Sequence, residues 1–411
     1  MTMAQGPHRV YIHIGAPKTG TTFLQHMLFG YREQLLADGV SYPADSYDDH
    51  FFAAVDLQDL DFSGAPRPEA GGAWDRLAAR VHAWDGVSVV SHDVLAGATS
   101  QQARRAIDSF APAEVHVVLT ARDLGRQLPS HWQEDVKHGQ TRSFRQWYDA
   151  LCRREADDWQ LRWFWRVEDL PDMLRRWGAT LPPDRVHVVT VPHAGAHEHS
   201  LWPRFASVIG VGRNDLGLGA VSHPNRGLGV AEVALLRAIA ALRDDRLDQR
   251  AYEHLVKGAL AHETLERVEP AGGFGLPADL LPAVRETSRR WVEAIAAAGY
   301  DVVGDLTELL PLDRAQGRLD PDSAEPADVA RVGAFAVYET TVRLAREREA
   351  AAEHARALSA ELTAAHEVIA EHAGLPAGER VRRTVVEIGR THRLVGKLLR
   401  VYRWLRRRPG D

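Results

Sequence analysis

Residues 13–25 read HIGAPKTGTTFLQ. They follow a short apolar run, RVYIHI at 9–14, and lead into a stretch whose apolar residues recur at helical spacing. A glycine loop between a strand and a helix is suited to phosphate, because loop N–H groups and the helix N-terminus both attract anions. This loop departs from the common nucleotide pattern of Gly, four residues, Gly, Lys, then Ser or Thr. Gly15 and Gly20 keep the spacing, but Thr21 stands where the lysine belongs, and the lysine comes early as Lys18. In the common pattern the hydroxyl after the lysine holds Mg²⁺ for the β- and γ-phosphates. Here Thr19 follows Lys18 inside the loop, and no Lys-Ser or Lys-Thr pair closes it. The arrangement suits a shorter anionic group, with the lysine taking up charge directly and not through a metal.

The chain around the loop has 411 residues, 45% hydrophobic and 26% charged, enough for one large α/β domain with an extension or for two domains. Its formal net charge of −6 argues against a nucleic-acid binder. The single cysteine, Cys152, excludes a disulfide within the chain, and no stretch reads as a secretory signal, so the expected compartment is a reducing cytoplasm. The apolar runs are too short and too broken by charge for a membrane-spanning helix. Lysine occurs only at Lys18, Lys137, Lys257 and Lys397, so a lysine inside the glycine loop stands out against the composition.

Four apolar runs read as strands: 9–14, 86–93, 114–123 and 184–191. Between them lie helical patterns at 21–38, 74–84, 101–110 and from 124 to about 137, and the chain from 201 to 298 is mostly helical in pattern. Apolar strands alternating with helices predict a doubly wound α/β domain, a parallel sheet with helices on both faces, over residues 8–311. Residues 312–328, rich in Asp and Pro, read as a linker. Residues 329–373 read as a long helix carrying a stripe from Val337 to Ile369 at 3-4 spacing, broken by Arg348, a pattern that fits a coiled coil, as in a homodimer, or a docking helix. Residues 380–408, with eleven Lys or Arg against one acid, Glu387, read as a basic amphipathic helix. Such a helix could lie on an anionic membrane surface or pack back on the acidic main domain.

The APKTGTTFLQ segment resembles the 5′-phosphosulfate loop of the sulfotransferases that use 3′-phosphoadenosine 5′-phosphosulfate (PAPS), usually written P-K-[ST]-G-T-[ST]. The resemblance implies the P-loop-like α/β fold of that family. It also implies PAPS as co-substrate without a metal, and Gly15, Lys18, Thr19, Gly20, Thr21 and Thr22 around the 5′-phosphosulfate. A second motif agrees. The third strand ends in TARDLGRQLPS, with Arg122 and Ser130 eight residues apart, as in the family's 3′-phosphate clamp. An arginine at a strand exit offers a planar fork of donors, and Ser130 falls in the first turns of the next helix, beside Arg126. Pro129 is expected within the first turn, where a missing N–H costs little. The bland alternative for Arg122 is a salt bridge to Asp123 or Asp135.

Between these motifs the second strand ends at His92 and Asp93. In a parallel sheet all strand exits share one edge, where ligands bind. The resemblance places a catalytic base there. Alternation along the strand lets only one of the two face the site; His92 is favoured because its unperturbed pKa suits proton removal near neutrality, with Asp93 as alternative. SHPNRGLG at 222–229 loosely resembles the family's late loop over the 3′-phosphate, which assigns Asn225 and Arg226 to it, without the family's lysine. Trp132, Gln133, Glu134 or His138 could face an acceptor, although Trp132 reads as core, as does the set Trp159, Trp163, Trp165 and Trp177. The expected activity is sulfuryl transfer from PAPS to a hydroxyl or amine of an acceptor such as a carbohydrate or glycolipid. A P-loop small-molecule kinase and a non-catalytic scaffold remain open.

Overall fold

The computed structural model describes residues 8–60, 68–155, 157–193, 201–212, 227–267, 273–312 and 319–373. Six strands form one sheet: β1 Arg9–Gly15, β2 Val40–Ser41, β3 Val87–Ser91, β4 Glu114–Ala121, β5 Val186–Thr190 and β6 Asp301–Val303. Their order is β2-β3-β1-β4-β5-β6 and every pairing is parallel. Side chains alternate along β1, so Val10, Ile12 and Ile14 enter one hydrophobic cluster while Tyr11 joins Val89, Val118 and Val189 in the other. Both faces are thus covered, which is why these strands read as continuous apolar runs.

The chain leaves β1 toward β2 and β3 on one side and then crosses to β4 on the other. β1 therefore lies at the switch point, and the crevice beyond its C-terminal end is where open α/β sheets bind ligands. Register sets what meets there. His13 lies opposite Ser91 in β3 and opposite Val118 in β4. Residues 92–93 and 122 consequently leave the sheet on either side of the loop that follows Gly15.

Several details depart from the expectations. The helix expected over 21–38 is two, α1 (Thr21–Gly30) and Arg32–Ala37, broken at Tyr31. The second apolar strand stops at Ser91, and His92 instead caps a 3-10 turn over Asp93–Gly97. The edge strands β2 and β6 and the helix Asp49–Gln58 were not anticipated. Trp132, Trp147 and Trp177 are buried, but Trp159 is 55% exposed and is not core. The segment read as a linker is docked in its described part: Asp322 accepts the N–H groups of Phe144 and Arg145 at 2.8 and 3.1 Å, capping the helix Phe144–Arg153. The long helix runs Pro326–Ala373. The chain divides into two compact units, 1–336 and 337–411. In the second, Val337, Leu344, Leu358 and Leu362 are exposed. The basic segment 380–408 and residues 225–226 lie outside the described residues.

Candidate active site

The loop is held from below by a buried chain of hydrogen bonds across three strands. His13 bonds Ser91 Oγ through Nδ1 at 2.8 Å and Thr120 Oγ1 through Nε2 at 3.1 Å. Thr120 Oγ1 meets Thr19 Oγ1 at 2.7 Å, and Thr19 donates to the Ala16 carbonyl at 2.6 Å. Burial pushes the His13 imidazole down to about 3, so it is a neutral brace joining β3, β1 and β4. The hydroxyl of Thr19 is spent inside this chain, and its side chain is buried.

Three loop residues adopt the left-handed backbone: Gly15 (φ 80°), Lys18 (φ 61°) and Gly20 (φ 89°). A Cβ on Gly15 would stand 2.8 Å from Asp93 Cβ, so this glycine lets the exit of β3 pack directly on the loop. Lys18 has no such excuse; an L-residue there costs about 1 kcal/mol or more, and strain of this kind gathers at ligand sites. Gly20 caps α1 without a side-chain acceptor, and the first turn of α1 holds no acid. The N–H groups of that turn therefore face the loop without a side-chain partner at the cap, a setting that favours an anion. Thr22 is exposed at the same end.

Arg122, directly after β4, joins the separate motifs. Its NH1 donates to the Lys18 carbonyl at 2.9 Å, and its NH2 donates to Ser130 Oγ at 3.0 Å and to the Arg126 carbonyl at 2.8 Å. These bonds, not a pair with Asp123 or Asp135, fix its position toward the loop. Asp123 instead caps the helix α2 (Leu124–Lys137) by accepting from the Arg126 N–H and its Nε. The remaining Arg126 nitrogens donate to the carbonyls of Pro192 and Val191 at 3.0 and 3.2 Å, tying α2 to the exit of β5. Pro129 lies in the second turn of α2, one turn later than expected, and removes a ladder bond there. Ser130 Oγ donates to the Arg126 carbonyl at 2.9 Å.

His92 and Asp93 leave β3 beside the loop. The backbone N–H of Val94 donates to His92 Nδ1 at 3.1 Å. Asp93 Oδ1 lies 3.2 Å from the same nitrogen, so Nδ1 accepts from Val94 in the tautomer with its proton on Nε2 and donates to Asp93 in the other. Burial lowers the pKa of His92, although Asp93 and Asp48 pull it the other way. Asp93 packs against Gly15, and Thr21 Oγ1 lies 3.3 Å from its Oδ2.

Two further features were hidden in the sequence. Lys18 Nζ sits 2.7 Å from Glu134 Oε2, and Lys257 Nζ sits 2.8 Å from Glu134 Oε1, with Lys137 at 4.0 Å and His138 Nε2 at 3.5 Å. Three of the four lysines in the chain converge on one carboxylate. Burial opposes its ionisation, but Lys18, His138, Lys257 and Lys137 outweigh it and hold Glu134 well below the ordinary carboxylate range. Beneath the loop, Gln127 donates to the Pro17 carbonyl and to Glu168 at 2.8 Å, and Glu168 bonds His131 Nδ1 at 2.8 Å. Asp135, which accepts from Trp147 Nε1 at 2.9 Å, is pushed up to about 6 by burial. Burial also works against the His131 imidazolium, but Asp135 and Glu168 prevail and raise it. The contacts that bring Lys18 and Lys257 to Glu134, and Gln127 and His131 to Glu168, join residues 37 or more apart in the chain, and the rarity of lysine was the one usable sign.

Gln133 pins Leu228 through both its amide groups, at 3.0 and 3.2 Å. Among the described residues, no set of three or more His, Cys, Asp or Glu side chains is arranged to hold a metal, and no helix is long and apolar enough to cross a membrane.

No protein-family model and no curated protein matches the chain. Among solved structures it is similar to a sulfotransferase from Alicyclobacillus acidocaldarius, at 17% identity over 62% of this chain and 96% of that one, with a TM-score of 0.34. It is also similar to the sulfotransferase domain from the curacin biosynthetic pathway, at 12% identity over 73% and 100%, with a TM-score of 0.30. Likeness at this level says nothing of the ligands bound.

Proposed function

We propose that the chain is a sulfotransferase that moves a sulfuryl group from PAPS to a hydroxyl or amine of an acceptor, such as a carbohydrate or glycolipid. The observation that carries this reading is Arg122, which bonds the Lys18 carbonyl and the Ser130 hydroxyl together. One guanidinium thereby sets the distance between two anion sites. The first is the loop with Lys18 and the N-terminus of α1. The second is Arg122 itself with Ser130. A ligand with anionic groups at both ends of a nucleoside fits such a pair.

PAPS would supply the activated sulfuryl group; the rest falls to this chain. Arg122 and Ser130 would hold the 3′-phosphate. Lys18 and the loop N–H groups would take up the charge that grows on the bridging oxygen as the S–O bond breaks, so their contribution belongs to the transition state. With His92 Nδ1 accepting the Val94 N–H, its Nε2 bears the proton and Asp93 is the better base of the two candidates; with Nδ1 donating to Asp93 Oδ1 at 3.2 Å, Nε2 would be the base. In the first case His92 would anchor the turn that presents Asp93. Lys18→Ala should lower kcat more than it weakens donor binding. A Lys18→Ala variant with unchanged kcat would remove the lysine from the chemistry. Asp93→Asn should abolish turnover with PAPS and a mixed panel of hydroxyl and amine acceptors, while His92→Asn, whose side-chain oxygen can accept the same N–H, keeps most of it. The reverse result would restore His92 as the base.

A further inference from the structure

Glu134 has two oxygens and divides them. Oε2 takes Lys18 at 2.7 Å, while Oε1 takes Lys257 at 2.8 Å. The third lysine nearby, Lys137, has its own partner in Glu266 at 2.9 Å. One carboxylate is thus shared between two ammonium groups, leaving one positive charge uncompensated. His138 adds none, since its Nε2 faces the Lys257 ammonium at 2.6 Å and burial lowers its pKa. Lys257 lies within Glu253–His262, a π-helical stretch, a winding that is rare and frequent at functional sites. In a chain so rich in arginine, the residues gathered here are lysines. An ammonium on a flexible stem can change partners where a guanidinium fork is held in one geometry.

We propose that Glu134 is a positioning residue that holds Lys18 off the loop until an anion arrives, and that Lys257 is the counter-cation that lets Glu134 release it. The proposal rests on the donor site described above. When Lys18 swings to the loop, Glu134 keeps Lys257, so the exchange leaves no buried charge unpaired. The carboxylate occupies the lysine in the ligand's absence and competes with the incoming phosphate for it.

Competition has a signature that a structural role lacks: the two partners of Glu134 act with opposite signs. Glu134→Gln frees Lys18 and should tighten binding of 3′-phosphoadenosine 5′-phosphate by about fivefold, the size of a partly exposed ion pair. Lys257→Met strengthens the remaining hold of Glu134 on Lys18 and should weaken binding by a similar factor. The double variant should behave as Glu134→Gln, and Glu134→Asp should restore part of the wild-type value. If both single variants weaken binding, or neither changes it, the proposal fails. Folding of each variant is checked by its urea midpoint. A second arm does not need the nucleotide. The four lysines can be followed as four ¹³C-dimethyl signals, with inorganic pyrophosphate as probe. Pyrophosphate should shift Lys18 and leave Lys257 in place, and Glu134→Gln should shift both without ligand. A Lys18 signal indifferent to Glu134→Gln would overturn the proposal. A protein that binds pyrophosphate in this manner but not the nucleotide would refute the donor assignment alone.

Discussion

Replacing Gly15 by alanine tests how the fold builds the site. Its φ of 80° is left-handed, which costs an L-residue about 1–2 kcal/mol. The new methyl would stand 2.8 Å from Asp93 Cβ, 2.9 Å from Asp93 Cα and 3.3 Å from Thr21 Cγ2. The first two cannot swing aside as a long side chain would, so the backbone of one segment must move, adding about 1–3 kcal/mol of overpacking. The sum is about 2–5 kcal/mol, a large part of the stability of an ordinary domain. Gly30, which ends α1 with nothing within 4 Å of the position a Cβ would take, is the control, and Gly30→Ala should change stability by about 1 kcal/mol at most. Urea unfolding followed by tryptophan fluorescence gives both values. The folded fraction of Gly15→Ala should also turn over poorly, because Asp93 is displaced from Thr21 and the loop. A Gly15→Ala protein as stable as Gly30→Ala, with full activity, would refute the packing of the β3 exit on the loop.

Other outcomes follow from the same geometry. Ser130→Ala removes a hydroxyl between Arg122 and the Arg126 carbonyl at the surface of the site, and should weaken binding of 3′-phosphoadenosine 5′-phosphate by about tenfold; calorimetric titration would show it, and unchanged affinity would remove Ser130 from the clamp. Glu308, whose burial favours protonation, is nevertheless held down at about 2 by Arg204 and Thr190. A depressed carboxylate adds stability above its unfolded pKa of about 4.5 that is lost as the pH falls toward 2, so Glu308→Gln should flatten the acid side of the stability profile. Asp135 has the opposite sign: burial raises it to about 6, so its contribution is present below about 4 and lost as the pH rises through 6. Asp135→Asn, which can still accept from Trp147, should remove that decline between pH 4 and 6; an unaltered slope would mean that the carboxyl is not protonated in the fold.

The loop, β1 and the exits of β4 and β5 were legible because their signals are local. A buried strand must be apolar, and the loop carries glycine at two of its three positions of positive φ, Gly15 and Gly20, with Lys18 at the third. The doubly wound sheet followed from their alternation with helices. β2 and β6, at two and three residues, bury too little to leave a pattern in the sequence. The site was legible in part. Arg122 and Ser130 could be paired through the resemblance of their motif to the family's 3′-phosphate clamp, and the structure joins them to Lys18. Which of His92 and Asp93 faces the chemistry could not be read from alternation, because the strand ends at Ser91 and a 3-10 turn takes over. Glu134 was one of four candidates in its helix or at the cap that ends it. Its meaning depends on Lys18 and Lys257, each more than a hundred residues away in the chain, and sequence spacing carries no trace of that meeting.

The two-anion clamp is the central claim, and calorimetric titration with 3′-phosphoadenosine 5′-phosphate beside ADP, and beside ATP with Mg²⁺, tests it most directly. Binding near micromolar Kd, roughly −8 kcal/mol, lost in Arg122→Ala and far weaker for ADP, is the expected result. Preference for ATP with Mg²⁺ would contradict the clamp and make the loop that of a kinase, and binding of none of the three would leave the α/β domain a scaffold.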